Sequence, residues 1–288
     1  MQYRAFGRTG FDISAVAYGG IVSMQDGQEA SDRYVAWAIE RGINYFDVAP
    51  SYGDAEEKLG NSLVPYRSKI RLACKTQERL KVNAEKELIK SQKLLHTDYF
   101  DVYQLHAISS MEDVETAFGP GGVMEMVRGL KEKGIAGNVG ITAHNEDAAL
   151  RCLELYDFDT VLFPFNWFMN MAHGMGSRLI KAAKERNMGV LCMKAFIERK
   201  WDSKEEREAS AFPKSWCKPV DVSDEAFGMA AMKYALSLGV DTLIPPGNFA
   251  SFSFAVDHID ECLKNPLNEE EKKLLAKKLE EVRGKEFF

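Results

Sequence analysis

Eight short apolar runs, each followed by a stretch of helical period, recur from one end of this chain to the other. They read AVAYGG at 15–20, INYFD at 43–47, IRLACK at 70–75 and FDVYQLH at 100–106, then GNVGIT at 137–142, TVLFPF at 160–165, GVLCMK at 189–194 and DTLIPP at 241–246. Most cluster their apolar residues between turn signals, the pattern of parallel strands buried on both faces. Helical stripes lie between them. Val123, Met126, Val127 and Leu130 fall at i, i+3, i+4 and i+7, with Gly134 as a stop. Phe227, Ala230, Ala231, Tyr234, Ala235 and Leu238 draw a second stripe, with Ser223 expected as N-cap and Gly239 as its end. Narrower ones pass through Ala84, Leu88, Ser91 and Leu95 and through Val35, Ala38 and Ile39. Further helices are expected at about 249–263 and around Leu274, Leu275, Leu279 and Val282.

Eight strand–helix units in about 250 residues predict an α/β chain folded as one (β/α)8 barrel over 1–288, with an extra C-terminal helix. The competing doubly wound sheet usually carries a GxGxxG phosphate loop after an early strand, and YGGIVS at 18–23 is not one. No Pro/Gly/Ser-rich linker divides the chain. The stretch 197–222, IERKWDSKEEREASAFPKSWCKPVDV, is a long connection after the seventh strand and reads as a lid.

Charge and composition narrow the function classes. A net charge of −6, with no basic stripe among aromatics, speaks against nucleic acid or an anionic membrane as the main partner. No run approaches the roughly 20 apolar residues of a membrane helix, and MQYRAFGRTG lacks the apolar core of a signal peptide, so a cytoplasmic protein is expected. Cys74, Cys152, Cys192, Cys217 and Cys262 are scattered without a CxxC pair. His96, His106, His144, His173 and His258 form neither HxH nor HExxH, so neither a disulfide framework nor a metal is expected. Nothing in the pattern assigns an oligomeric state.

In a barrel of this type, strand C-termini and the loops after them face the catalytic mouth. The second strand ends in Asp47, with Tyr52 in the loop beyond it; the third ends in Lys75 and the fourth in His106. A free tyrosine titrates near pH ~10, too high to exchange a proton readily at neutral pH. A neighbouring ammonium, Lys75, is expected to favour the phenolate, with Asp47 orienting it. His106 can donate a hydrogen bond to a substrate oxygen. Such a group moves a proton and polarises a carbonyl, and leaves hydride to a cofactor.

With these residues in place, the chain resembles the aldo-keto reductases over nearly its whole length. MQYRAFGRTGFDIS is similar to the family's opening hairpin, NYFDVAPSYGDAEEKLG to its Asp/Tyr motif, LACKTQ to its Lys motif and DYFDVYQLH to its His motif. The resemblance implies Tyr52 as general acid/base with Asp47, Lys75 and His106 as partners. It also implies a nicotinamide cofactor, NAD or NADP, and a small carbonyl or alcohol substrate.

The cofactor half departs from the common family pattern. The Ser-Asn after the fifth strand is replaced by Thr142 and Ala143, the Gln ending the sixth falls on Leu162, and the stacking Tyr of the seventh falls on Met193, followed by Lys194. Asn166 matches an Asn that often follows an aromatic there. Thr142, Asn166, Met193, Lys194, Gly247 and Asn248 are therefore the expected cofactor contacts. Trp167, Trp201 and Trp216 are the expected substrate wall, with Phe212 beside them in the lid. The stretch Ile244–Glu261 has no Lys or Arg to grip a 2′-phosphate, which favours NAD. Two other functions fit parts of the pattern. A Schiff-base lyase or aldolase could use Lys75 or Lys194, and a nucleotide-binding redox sensor could keep the site without turnover.

Overall fold

The computed structural model describes residues 1–286. Strands β1 (Tyr3–Ala5) and β2 (Asp12–Ser14) pair antiparallel as a hairpin across the N-terminal end of the barrel. Its Phe6 and Ile13 join an interior cluster with Ala17, Tyr45, Ala73, Val102, Leu162, Leu191 and Ile244. Gly189 has to be glycine here, because a Cβ would lie 2.5 Å from the Phe6 ring.

Eight parallel strands make the barrel: β3 (Tyr18–Gly19), β4 (Tyr45–Asp47), β5 (Arg71–Thr76), β6 (Phe100–Ile108), β7 (Ala136–Ala143), β8 (Thr160–Phe163), β9 (Gly189–Met193) and, after β10 (Ile197–Arg199) and β11 (Lys218–Pro219), β12 (Thr242–Ile244). The ring closes where Val16 bridges Leu243. Ala17 N–H donates to the Leu243 carbonyl at 2.9 Å and Leu243 N–H to that of Ala15 at 3.0 Å. All eight expected strands are present, with ends shifted by up to three residues.

Helices α1 (Gln28–Glu40), α2 (Ala55–Leu63), α3 (Lys81–Leu94), α4 (Met111–Phe118), α5 (Met124–Val127), α6 (Glu146–Leu155), α7 (Trp167–His173) and α8 (Ser177–Glu185) follow in order. They continue with α9 (Lys204–Ala209), α10 (Glu225–Ser237), α11 (Phe249–Lys264) and the terminal α12 (Glu269–Glu281). A capping box between Asn268 and Glu271 starts α12. No described helix is long and apolar enough to cross a membrane.

Two local expectations need correction. The stripe at 123–130 is buried as expected, but only four residues form α5; Gly129 weakens the helix and the chain continues in turns to Gly134. Ser223 does not cap α10. Its hydroxyl is donated to Asp221 at 2.8 Å, and Asp224 takes the cap instead, accepting from Phe227 N–H at 3.2 Å.

The connection after β9 is built, not loose. Strands β10 and β11 pair antiparallel, α9 lies between them, and Arg199 ties the unit together by pairing with Glu206 at 2.5 Å.

Candidate active site

Strand register brings the titratable residues together. Asp47 is level with Ala73 and Lys75 with Gln104, and the two-residue period puts Asp47, Lys75 and Gln104 on the inner face. The fully buried Lys75 forms an ion pair with Asp47 Oδ2. Its ammonium lies 3.4 Å from both the Val48 carbonyl and the Tyr52 hydroxyl. Gln104 Nε2 donates to the other carboxylate oxygen of Asp47 at 2.8 Å. Burying a charge this deeply is tolerated only when it is paired and hydrogen-bonded, and both conditions hold here.

Tyr52 reaches the same point from the turn after β4, where Gly53 takes φ +57° to let the chain enter α2. The β6 ladder breaks register between Leu105 and Ile108. That irregularity re-aims the strand end around His106. Ala107 adopts φ +55° and its N–H is held by Thr142 Oγ1 at 2.7 Å. The His106 ring stands edge-on to Tyr52, centroids 5.7 Å apart, and Trp216 packs on Tyr52 in the same way at 5.5 Å.

The electrostatics differ from the sequence expectation in one respect. Burial pushes the Tyr52 phenol above its usual 10, Lys75 pulls it back, and Asp47 raises it again; the net direction is upward. The ammonium therefore limits the rise and does not produce a phenolate. Burial acts to lower Lys75, but the Asp47 carboxylate and Tyr52 outweigh it, and the lysine stays charged. Burial holds His106 well below 6.5, and the Lys75 charge adds to the effect. At neutral pH the group is a neutral phenol, an ammonium and a neutral imidazole.

These residues face a cavity of about 90 Å³ whose lining includes Asp47, Tyr52, His106, Thr142, Met193, Lys194, Trp216 and Gly247. Three expected contacts lie behind it. Asn166 caps α7 through Met169 N–H at 3.0 Å, while its buried Nδ2 has no partner among the described residues. Asn248 caps α11 and donates to Ser215 Oγ at 3.2 Å. Trp167 is wholly buried and donates to the Ile197 carbonyl at 2.7 Å, so it anchors the start of β10. Trp201 is likewise removed from the cavity. Its indole N–H goes to the Ser215 carbonyl at 2.8 Å, and with Phe212 it lines a different cleft on the outer side. Of the three tryptophans, only Trp216 lines this cavity.

Four residues at or near the mouth escaped the sequence reading. Gln104 stands two positions before His106, so strand period alone could have found it. His144 follows the end of β7, lines the cavity, and lies 3.0 Å from Lys194 Nζ through Nε2. Burial and the Lys194 charge lower its pKa to about 3. Cys217 lines the cavity from the far end of the long connection. Lys214 comes from the same connection, and no periodicity announced it. It lines a recess of about 330 Å³ with Asn248, Phe249 and Ala250, and is paired with Asp26 at 2.6 Å.

Comparison with known proteins agrees with this geometry. A model described as "Aldo/keto reductase family" matches residues 17–246. The chain is 28% identical over 182 residues to the uncharacterized oxidoreductase YqkF of Bacillus subtilis, covering 58% of this chain and 57% of that one. It is 32% identical over 160 residues to L-galactose dehydrogenase of Arabidopsis thaliana, covering 49% and 48%. The matches thus span about half the length of these relatives. Among solved structures, the aldo-keto reductase AKR11C1 of Bacillus halodurans in its holo form superposes with a TM-score of 0.71 at 20% identity, over 96% of each chain. The matched region runs from β3 through β12 and so contains the whole barrel and its mouth; the chain belongs to the aldo/keto reductase family.

Proposed function

We propose that the protein is an oxidoreductase that moves hydride between a nicotinamide nucleotide and a small carbonyl or alcohol, with Tyr52 giving or taking the proton. The observation that carries this reading is the connected row Asp47–Lys75–Tyr52, with neutral His106 edge-on to the phenol at one cavity. When bound, the nucleotide supplies or accepts the hydride. In reduction, the Tyr52 hydroxyl donates its proton to the carbonyl oxygen. Lys75 stabilises the phenolate left behind, and Asp47 with Gln104 fixes the ammonium. His106 donates a hydrogen bond that sets the direction of the same oxygen.

The residues present fit a nicotinamide nucleotide. Met193 and Lys194 line the cavity from the end of β9, Thr142 from β7. Gly247 brings bare backbone to the rim, where a Cβ would lie 2.2 Å from Ile21. The next helix, α11, presents its N-terminus and the Asn248 cap just beyond, a setting that favours phosphate. We favour NAD over NADP, because Ile244–Glu261 holds no cation and Lys214 is already tied to Asp26. The barrel acts as a single domain in this reading, with 197–222 closing over substrate and Trp216 as its wall residue, in a cytoplasmic protein.

The test is a screen of aldehydes, ketones and polyols followed at the nicotinamide absorbance with both cofactors. Turnover of at least one class, with faster rates for NADH, is the expected result. Tight nucleotide binding with no turnover anywhere would favour a redox sensor instead.

A further inference from the structure

The end of β6 is irregular where it carries His106. Thr76, the last residue of β5, pairs with Leu105, and the β7 ladder passes from Leu105 to Ile108. His106 and Ala107 therefore lie outside both ladders, and their backbone groups need other partners. Ala107 also takes φ +55°, a left-handed conformation that costs a residue with a side chain and persists only where its surroundings enforce it. Arg79, from the loop after β5, supplies the partners for the carbonyls. Its Nη2 donates to the His106 carbonyl at 2.9 Å and to that of Ala107 at 3.2 Å. Thr142 Oγ1 accepts from the Ala107 N–H at 2.7 Å.

The guanidinium is itself held. Nε donates to Asp113 Oδ1 at 2.8 Å and Nη1 to the Gln77 carbonyl at 2.9 Å. Asp113 Oδ2 accepts from both the N–H and the hydroxyl of Ser109, just beyond Ala107. The Arg79 carbonyl accepts from Val123 N–H at 2.8 Å. Every guanidinium nitrogen is thus engaged, in a fork that a lysine cannot reproduce. The His106 ring, by contrast, has no such anchor. Its Nδ1 is buried with no hydrogen-bond partner among the described residues, and the ring meets Tyr52 edge-on at 5.7 Å. That leaves its direction to the backbone beneath it. We infer that Arg79 is a positioning residue, clamping the carbonyls of His106 and Ala107 so that the imidazole faces the reacting oxygen beside Tyr52. The inference rests on the proposed role of His106 at the substrate carbonyl.

A double-mutant cycle with butanal and NADH tests it. Arg79→Met should lower kcat about tenfold or more and leave KM within about threefold, because an aimed imidazole acts in the transition state. Dinucleotide affinity, read by quenching of tryptophan fluorescence, should also stay within about threefold. His106→Ala should lose about a hundredfold in kcat. With His106 already gone, adding Arg79→Met should cost less than about twofold. Arg79→Lys keeps the charge without the fork and should recover part of the loss. Equal losses in the two backgrounds would make Arg79 merely structural and overturn the inference. A second readout needs no turnover. With histidine and tyrosine labelled, nuclear Overhauser cross-peaks between the His106 and Tyr52 ring protons should be present in wild type and lost in Arg79→Met. Cross-peaks that keep their strength would overturn the inference. Absence of turnover by wild type would instead count against the oxidoreductase reading, and the cross-peaks would still decide the clamp. Should Arg79→Met not fold, Arg79→Lys takes its place in both measurements. A kcat loss of about threefold or more that disappears without His106, with weakened cross-peaks, supports the clamp, and unchanged values refute it.

Discussion

The two sides of the barrel mouth are built on different principles. On the β4–β6 side, Asp47, Lys75 and Gln104 sit on strands, and the charges of Asp47 and Lys75 cancel in a buried ion pair that Gln104 braces beside the Tyr52 phenol. On the β7–β12 side, Thr142, His144, Lys194, Trp216 and Gly247 come from strand ends and connections, and Lys194 Nζ lies 3.0 Å from His144 Nε2. The first side is rigid because unpairing a buried charge is expensive. The second can vary without endangering the fold, since its residues hang from backbone that the barrel does not require. In the proposed reading, proton chemistry is fixed by the sheet and recognition is left to the loops.

The comparison breaks most visibly at Lys75. Lys75→Met removes the ammonium beside Tyr52 and leaves Asp47 buried without its ion partner. Turnover should fall about a thousandfold or more, with about 3–5 kcal/mol lost in stability. Residual activity should peak at higher pH, because the phenol loses the one charge that restrains its pKa. Kinetics over a pH series with a denaturation curve checks both; an unchanged pH profile would uncouple Tyr52 from Lys75.

Trp216→Ala probes the other side. Its ring is partly exposed and packs only on Tyr52 among the described aromatics, so folding should be nearly indifferent to its loss. KM for the substrate should rise about tenfold with dinucleotide affinity little changed. Equal effects on both would remove this segment from the substrate site.

What could be read in advance follows the same division. Strand runs such as IRLACK and FDVYQLH carry their own burial pattern, and the strand-end rule then picks out Asp47, Lys75 and His106 without further information. Trp167 and Trp201 were misplaced for a physical reason. An aromatic near a polar connection can line a pocket or hold the connection down, and only the partner of its indole N–H decides; Trp167 from the start of α7 and Trp201 from within the connection both donate to its backbone carbonyls. Lys214 lines one recess with Phe249 and Ala250, residues far from it in sequence, and no local pattern announces that. Gln104 was legible but overlooked. The direction of the Tyr52 shift was not, because desolvation depends on how tightly the loops close over the ring.

A smaller effect should sharpen the cofactor side. Asp26→Asn releases Lys214 from its ion pair and should move the ratio of kcat/KM for NADPH over NADH upward by about fivefold. Steady-state kinetics with both cofactors measures it, and an unmoved ratio would take Lys214 out of nucleotide recognition. The smallest expected effect is on stability. His144 is held to about 3 when folded, against about 6.5 in an unfolded chain. The unfolded state therefore binds the extra proton below about pH 6.5, and stability should fall as pH drops from there towards 3. His144→Gln should flatten that slope by on the order of 1 kcal/mol, seen in denaturation midpoints at pH 7 and 4.5. A slope unaffected by the substitution would mean that His144 titrates normally.

The central claim is that Tyr52 carries the proton while the rest of the mouth binds. Tyr52→Phe removes one oxygen and leaves the ring, its contacts with His106 and Trp216, and the Asp47–Lys75 pair. Measured side by side, turnover should fall about a hundredfold or more, and the dissociation constant for the dinucleotide should stay within about threefold. A variant that keeps a tenth of the wild-type turnover would contradict the account, because another group would then be supplying the proton.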